Sequence, residues 1–318
     1  MSFLSSRRRK PRLAPELDDG DLGRLLKSLR ATTRSGTIGT TDLCVAQLSR
    51  LLDQEQEQGD WDRRSHRLSV LAGYLSASHL PSAWVTREPR NTSALVLNAW
   101  TELVRGHASG AMADASGMTK QCLLAADLDP QDPTPWVVLL GIARVERYAQ
   151  ADVFAAWNEI LARDRWHREA YLSMLAYLSP EEAGSRVQVL DFIDSVRTRM
   201  PANAPCAAVE LTAQVMQYHA ALDRGGVDAL VARNHWTNAQ ATASLERAHH
   251  AWPQPEFLHH AAALADLNLL AYALMAADWR RQAAPVFEAI GSRVTSWPWQ
   301  SGGDPLAAFE HARNKASV

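Results

Sequence analysis

Apolar residues recur along most of the chain at the spacing of one helix face. Leu22, Leu25, Leu26 and Leu29 stand at i, i+3, i+4 and i+7, which places them on one stripe of a helix. Asp18, Asp19 and Asp21 sit at the start of that stripe, where exposed amides favour negative charge. The same spacing returns at Cys44, Leu48, Leu51 and Leu52, at Leu68, Leu71, Ala72 and Leu75, and at Val96, Trp100, Leu103 and Val104. It continues through Trp136, Leu139, Leu140 and Ala143, then Val153, Phe154, Trp157 and Ile160, then Tyr171, Met174, Leu175 and Leu178. Val189, Phe192, Ile193 and Val196 follow, and Ala208, Leu211, Val215, Tyr218 and Leu222 extend the pattern. β-branched and aromatic residues are scattered rather than alternating, and Ala and Leu dominate. The chain is therefore expected to be all-α.

The helix-end boundaries Asp129-Pro130, Asp164-Arg165 and Met200-Pro201 fall 35 and then 36 residues apart. A fixed period of this size marks a solenoid of helical hairpins, because one hairpin cannot bury its apolar face alone while stacked neighbours can. The period is irregular around residues 202–256. There Gly225-Gly226 ends a helix and residues 227–236 read as a short inserted one. The expected organisation is a basic arm at 1–15, a helical region at 16–92, and a helical array at 93–318 closed by a short helix. In that last helix Phe309 docks and Asp304 caps.

Composition narrows the function classes. Apolar residues make up 47% of the 318 and charged residues 21%, so the bulk of the chain can bury a core. The formal net charge of −2 gives no global basic field to gather nucleic acid. Arg7, Arg8, Arg9 and Lys10 are read as a solvated arm, with weak contact to nucleic acid or an anionic membrane as the alternative. The N-terminus lacks the apolar core of a secretory signal, and no apolar run reaches the length of a membrane span. Cys44, Cys122 and Cys206 lie far apart, outside any zinc-type spacing. A cytoplasmic protein with reduced, buried thiols is expected.

No glycine-rich phosphate loop, dinucleotide fingerprint or GxSxG elbow is present. Glu181-Glu182 reads as charge at a helix start. The pairs His249-His250 and His259-His260 suggest a metal site at first sight, since imidazole is a common ligand. Adjacent residues on a helix point about 100° apart, however, so only one of each pair can face a common ion. Helix-end imidazoles at 249–250 and solvated ones at 259–260 are expected instead. The 11 tryptophans, including Trp236, Trp252, Trp297 and Trp299, are assigned mainly to packing. No catalytic residue, metal or cofactor is expected. The alternative is a metal- or small-molecule-binding protein or enzyme with a pocket near residues 225–260.

Leu267, Leu270, Ala271 and Leu274, followed by Ala283, Phe287 and Ile290, alternate small and large residues across a two-helix unit. In this the hairpin resembles the tetratricopeptide repeat. Val137, Leu140, Gly141, Val153, Trp157 and Ile160 occupy the corresponding places of the central unit, with Arg144 where the family has a large apolar residue and Arg165 where it has proline. The chain is similar in this respect to bacterial tetratricopeptide-like arrays. The resemblance implies a right-handed superhelix and a non-catalytic scaffold that binds a protein or peptide in a concave groove. By position the groove would hold Val138, Ile142, Glu169, Leu172, Ala208, Thr212, Asn268 and Tyr272.

Overall fold

The structure, a computed structural model, describes residues 10–35, 40–254 and 257–317. Arg7, Arg8 and Arg9 lie outside the described residues. The helices are α1 (Gly20–Ser35), α2 (Thr40–Gln58), α3 (Trp61–Tyr74), α4 (Leu80–Arg87), α5 (Thr92–Ser109), α6 (Ala115–Leu128), α7 (Thr134–Val145) and α8 (Gln150–Arg163). They continue as α9 (Arg168–Tyr177), α10 (Arg186–Arg197), α11 (Val209–Arg224), α12 (Gly226–Ala232), α13 (Ala239–Ala251), α14 (Ala263–Ala276), α15 (Arg280–Ile290) and α16 (Pro305–Ala316). The only extended pairing among the described residues is β1 (Arg12–Leu13) parallel to β2 (Arg293–Val294). The all-α expectation holds.

Two compact units divide the chain. One is Asp19–Leu190, and the other joins the chain up to Asp18 with Asp191–Val318. Within the first, α5 packs on α2, α3 and α4. The arm expected at 1–15 ends sooner. Arg12 N donates to Ser292 O and Ala14 N to Val294 O, and Ala14 and Leu17 are buried.

In the Asp19–Leu190 unit, most helices adjacent in sequence pack together, and α3, α5, α7 and α9 also touch in a row. The boundaries at Asp129 and Asp164 have one local design. Each residue closes its helix in an extended conformation (φ −135° and −137°), with its N–H bonded to the carbonyl four residues back. Each carboxylate then accepts the N–H two residues on, from Gln131 and from Trp166. Gly141 is where α7 meets α5, and a Cβ there would lie 2.4 Å from Leu103 Cδ2. Val137, Val138, Leu140, Ile142 and Ala143 are all buried. An apolar surface on every side makes α7 an interior helix rather than a one-faced one.

A polar layer is buried in the same unit. Arg64 bonds Asp132, Leu52 O and Ser93. Arg67 forks onto Asp19 and also reaches Leu51 O. Asp132 in turn accepts the N–H and hydroxyl of Thr134, which starts α7. Burial alone would raise the Asp19 carboxyl, but hydrogen bonds from Arg67 and from Leu22 N–H, with the Arg67 charge, hold it below the ordinary carboxylate value.

The other unit is centred on α14, which buries Leu264, Leu267, Leu269, Leu270 and Leu274. It starts at Ala263, after residues 257–259 form a 3₁₀ turn. Phe309 of α16 is fully buried against Phe287 and Trp299, at ring separations of 5.2 and 5.3 Å. Asp304 accepts the N–H of Leu306, as the capping pattern predicts.

The hairpins α7–α8 and α14–α15 share one turn. Arg147 (φ 53°) and Asp278 (φ 61°) both adopt the left-handed conformation that usually selects glycine after a helix. In each, the next residue's N–H spans back over the helix end: Tyr148 to Ala143 O and Trp279 to Leu274 O, both 2.8 Å. The second helices then bury Val153, Ala156, Trp157 and Ile160 in one case and Ala283, Val286, Phe287 and Ile290 in the other, at identical spacing.

Candidate functional site

The residues that the resemblance places in a groove differ in exposure. Val138, Ile142 and Asn268 have no exposed surface, and Ala208 and Thr212 are buried, while Glu169, Leu172 and Tyr272 are half-buried. Both α7 and α14 pack on more than one side, which buries these positions. Asn268 is an internal anchor. Its amide donates to Leu264 O and Arg293 O, and its oxygen accepts from Trp299 Nε1 at 3.1 Å and from Thr295 N.

The histidine pairs also separate. His249 and His250 end α13, as expected. The His260 side chain, expected in solvent, is buried with its Nε2 3.4 Å from Asp266 Oδ2. Among the described residues no three His, Cys, Asp or Glu side chains converge as metal ligands would. The three cysteines are buried, as the sequence suggests.

In the Asp19–Leu190 unit, Ser65 Oγ lies 2.8 Å from His167 Nε2, a separation that suits a nucleophile and its base. The tautomer argues otherwise. His167 Nδ1 accepts the Ala170 N–H at the start of α9, so its proton sits on Nε2 and is donated to Ser65. This histidine is a helix cap tied to α3. A cleft of about 410 Å³ opens in the same unit beside the α7–α8 turn. His107, Arg144, Arg147, Tyr148 and Tyr177 line it. Arg144 forks onto Glu182 and donates to Ser173 at 2.6 Å. The arginine found where a large apolar residue is expected thus ties α7 to α9 and the loop after it. Burial, and then the Arg144 charge, hold His107 below its ordinary value.

The second unit assembles a cluster from three separate segments. His219 of α11 places Nε2 2.8 Å from Tyr272 Oη of α14 and 3.3 Å from Ser301 Oγ. Ser301 belongs to the 3₁₀ turn Trp299–Gly302, and its hydroxyl also reaches Pro298 O at 3.1 Å. Trp297 meets the imidazole edge-on at 6.4 Å, and Tyr218 packs on His235 and Trp236 alongside. Trp236 is buried, with its indole N–H unpartnered among the described residues. Burial holds His219 below its ordinary value, partly offset by Asp223 one turn further along α11. Burial likewise raises Tyr272. A neutral imidazole that carries its lone pair on Nε2, bracketed by two hydroxyls, can accept a proton. Sequence reasoning reached Tyr272 and the Trp297-Trp299 pair but not His219 or Ser301, whose proximity follows only from folding.

Asn268 anchors the segment that carries Ser301: it bonds Trp299, two residues before Ser301, and the backbone at Arg293 and Thr295. Compared with known protein families, with characterised proteins and with solved structures, the chain finds no match in any of the three.

Proposed function

We propose that this chain is a helical-repeat scaffold, a tetratricopeptide-like solenoid of hairpins, that binds an amphipathic helix of a partner protein. The observation that carries the reading is the surface of α12. Val227, Leu230 and Val231 stand at i, i+3 and i+4 and are 75%, 59% and 63% exposed, with Leu222 of α11 also in solvent. Single exposed aliphatics are ordinary, but several on one turn of one helix form a patch of the kind that marks interaction sites. Arg224 at the end of α11 pairs with Asp228, next to Val227 in α12. Apolar residues at i, i+3 and i+4 suit the apolar stripe of another helix. The shared turn of α7–α8 and α14–α15, and the row of contacts α3, α5, α7 and α9, support the repeat reading.

The proposal moves recognition from the helix faces named by the resemblance to α12. The test is co-purification from native extract of the unaltered chain and of a Leu230→Glu/Val231→Glu variant with unchanged circular dichroism. A stoichiometric partner retained by the first and lost by the second is expected. Equal retention by both would refute the assignment to α12.

A further inference from the structure

We infer that Ser301, His219 and Tyr272 form an acyl-transfer site that takes small carboxylic esters, with Ser301 as nucleophile, His219 as base and Tyr272 as oxyanion donor. The cluster draws on α11, α14 and the 3₁₀ turn, three segments far apart in sequence. Ser301 is exposed, as a nucleophile must be, while His219 and Tyr272 lie half-buried behind it.

The geometry contains a choice. Both hydroxyl protons are within reach of one lone pair on His219 Nε2, and only one can occupy it. In the tautomer with Nε2 unprotonated, Tyr272 donates to Nε2 across their 2.8 Å contact at rest, while Ser301 donates to Pro298 O at 3.1 Å. When Tyr272 turns its proton toward a substrate carbonyl, Nε2 is released to Ser301. The Ser301 Oγ then bonds to the carbonyl carbon, its proton passes to Nε2, and the carbonyl π pair moves onto oxygen, where Tyr272 donates to it. Collapse breaks the ester C–O bond, and the leaving alkoxide takes the proton from Nε2. Water attacks the acyl-serine with the same base, releasing the carboxylic acid and restoring Ser301. Asp223 is placed to favour the transient imidazolium. Around the imidazole stand Asp223 and Tyr218 on its own helix, Tyr272 from α14 and Ser301 from the turn, with Trp297 at its edge.

The test treats the full chain with a fluorophosphonate probe and maps the adduct by mass spectrometry. One adduct on Ser301 is expected, absent from Ser301→Ala and from heat-unfolded chain. It should form on the order of 10²-fold more slowly in His219→Gln, the size of a general-base contribution. In the unaltered chain the rate should rise with pH through a midpoint below 6.5, since the imidazole must be neutral to act and burial lowers its pKa from that value. This profile decides the matter even if His219→Gln is poorly folded. No adduct on folded chain, or labelling indifferent both to His219 and to pH across that range, would overturn the assignment. The site shares no residue with the α12 surface, so neither result bears on partner binding.

Discussion

The Arg64 guanidinium and the Asp132 carboxylate meet at 3.0 Å with both side chains wholly withdrawn from water. The pair joins α3 to the start of α7, residues 68 apart in sequence. A buried pair adds little over an apolar replacement, but losing one partner strands the other charge. Asp132→Ala should therefore destabilise the chain by about 3–5 kcal/mol, read as a lower urea midpoint. Arg64→Met combined with Asp132→Leu should recover part of that loss. A double variant as weak as the sum of the single ones would contradict the coupling.

Asp19 predicts an acid limit to stability. Its folded pKa lies below the unfolded value of 3.8. The stabilisation it gives is thus complete above the unfolded pKa and lost as pH falls through the folded one. Urea midpoints of the unaltered chain and of Asp19→Asn should differ most at pH 6 and converge as pH drops below the unfolded value. A gap that widened toward acid pH would reverse the sign.

Two left-handed residues and one glycine make a matched backbone test. Arg147→Gly and Asp278→Gly should each stabilise or leave stability unchanged, because glycine relieves a left-handed strain of roughly 1 kcal/mol. Gly184→Ala should do the opposite by about 1–3 kcal/mol, since its Cβ would lie 2.0 Å from Leu178 O. Thermal melts check all three. A destabilised Arg147→Gly and a neutral Gly184→Ala would show that these turns are not set as described.

Removing the ring of Phe309 should release the last helix. Phe309→Ala leaves a cavity beside Phe287 and Trp299 and should cost about 3–5 kcal/mol. Hydrogen exchange of α16 amides should accelerate more than that of α7. Protection in α16 equal to that of the unaltered chain would contradict its docking through this ring.

What was legible in the sequence was local. Stripes at i, i+3 and i+4 expose helices because the relevant residues lie within two turns of each other, and Leu22, Leu25 and Leu29 are buried as that pattern requires. The boundaries at Asp129 and Asp164 were legible for the same reason, since each is closed by its own side chain. Long-range partners were not legible. β1 is two residues whose ladder partner is β2, 281 positions later by the Arg12–Arg293 register. Val138 and Ile142 look like one face of an amphipathic helix, and only the packing of several neighbours on α7 shows that no face remains open. His219 and Ser301 are separated by 82 residues, and no local motif joins them.

The most direct measurement of the proposed function is photo-crosslinking from position 230 of the chain in its native cells, followed by mapping of the adduct. The account predicts one dominant adduct, on the apolar stripe of an amphipathic helix in another protein, lost when Val227 is replaced by Glu. Absence of any adduct from position 230, or adducts scattered over many proteins and unaffected by Val227→Glu, would contradict it.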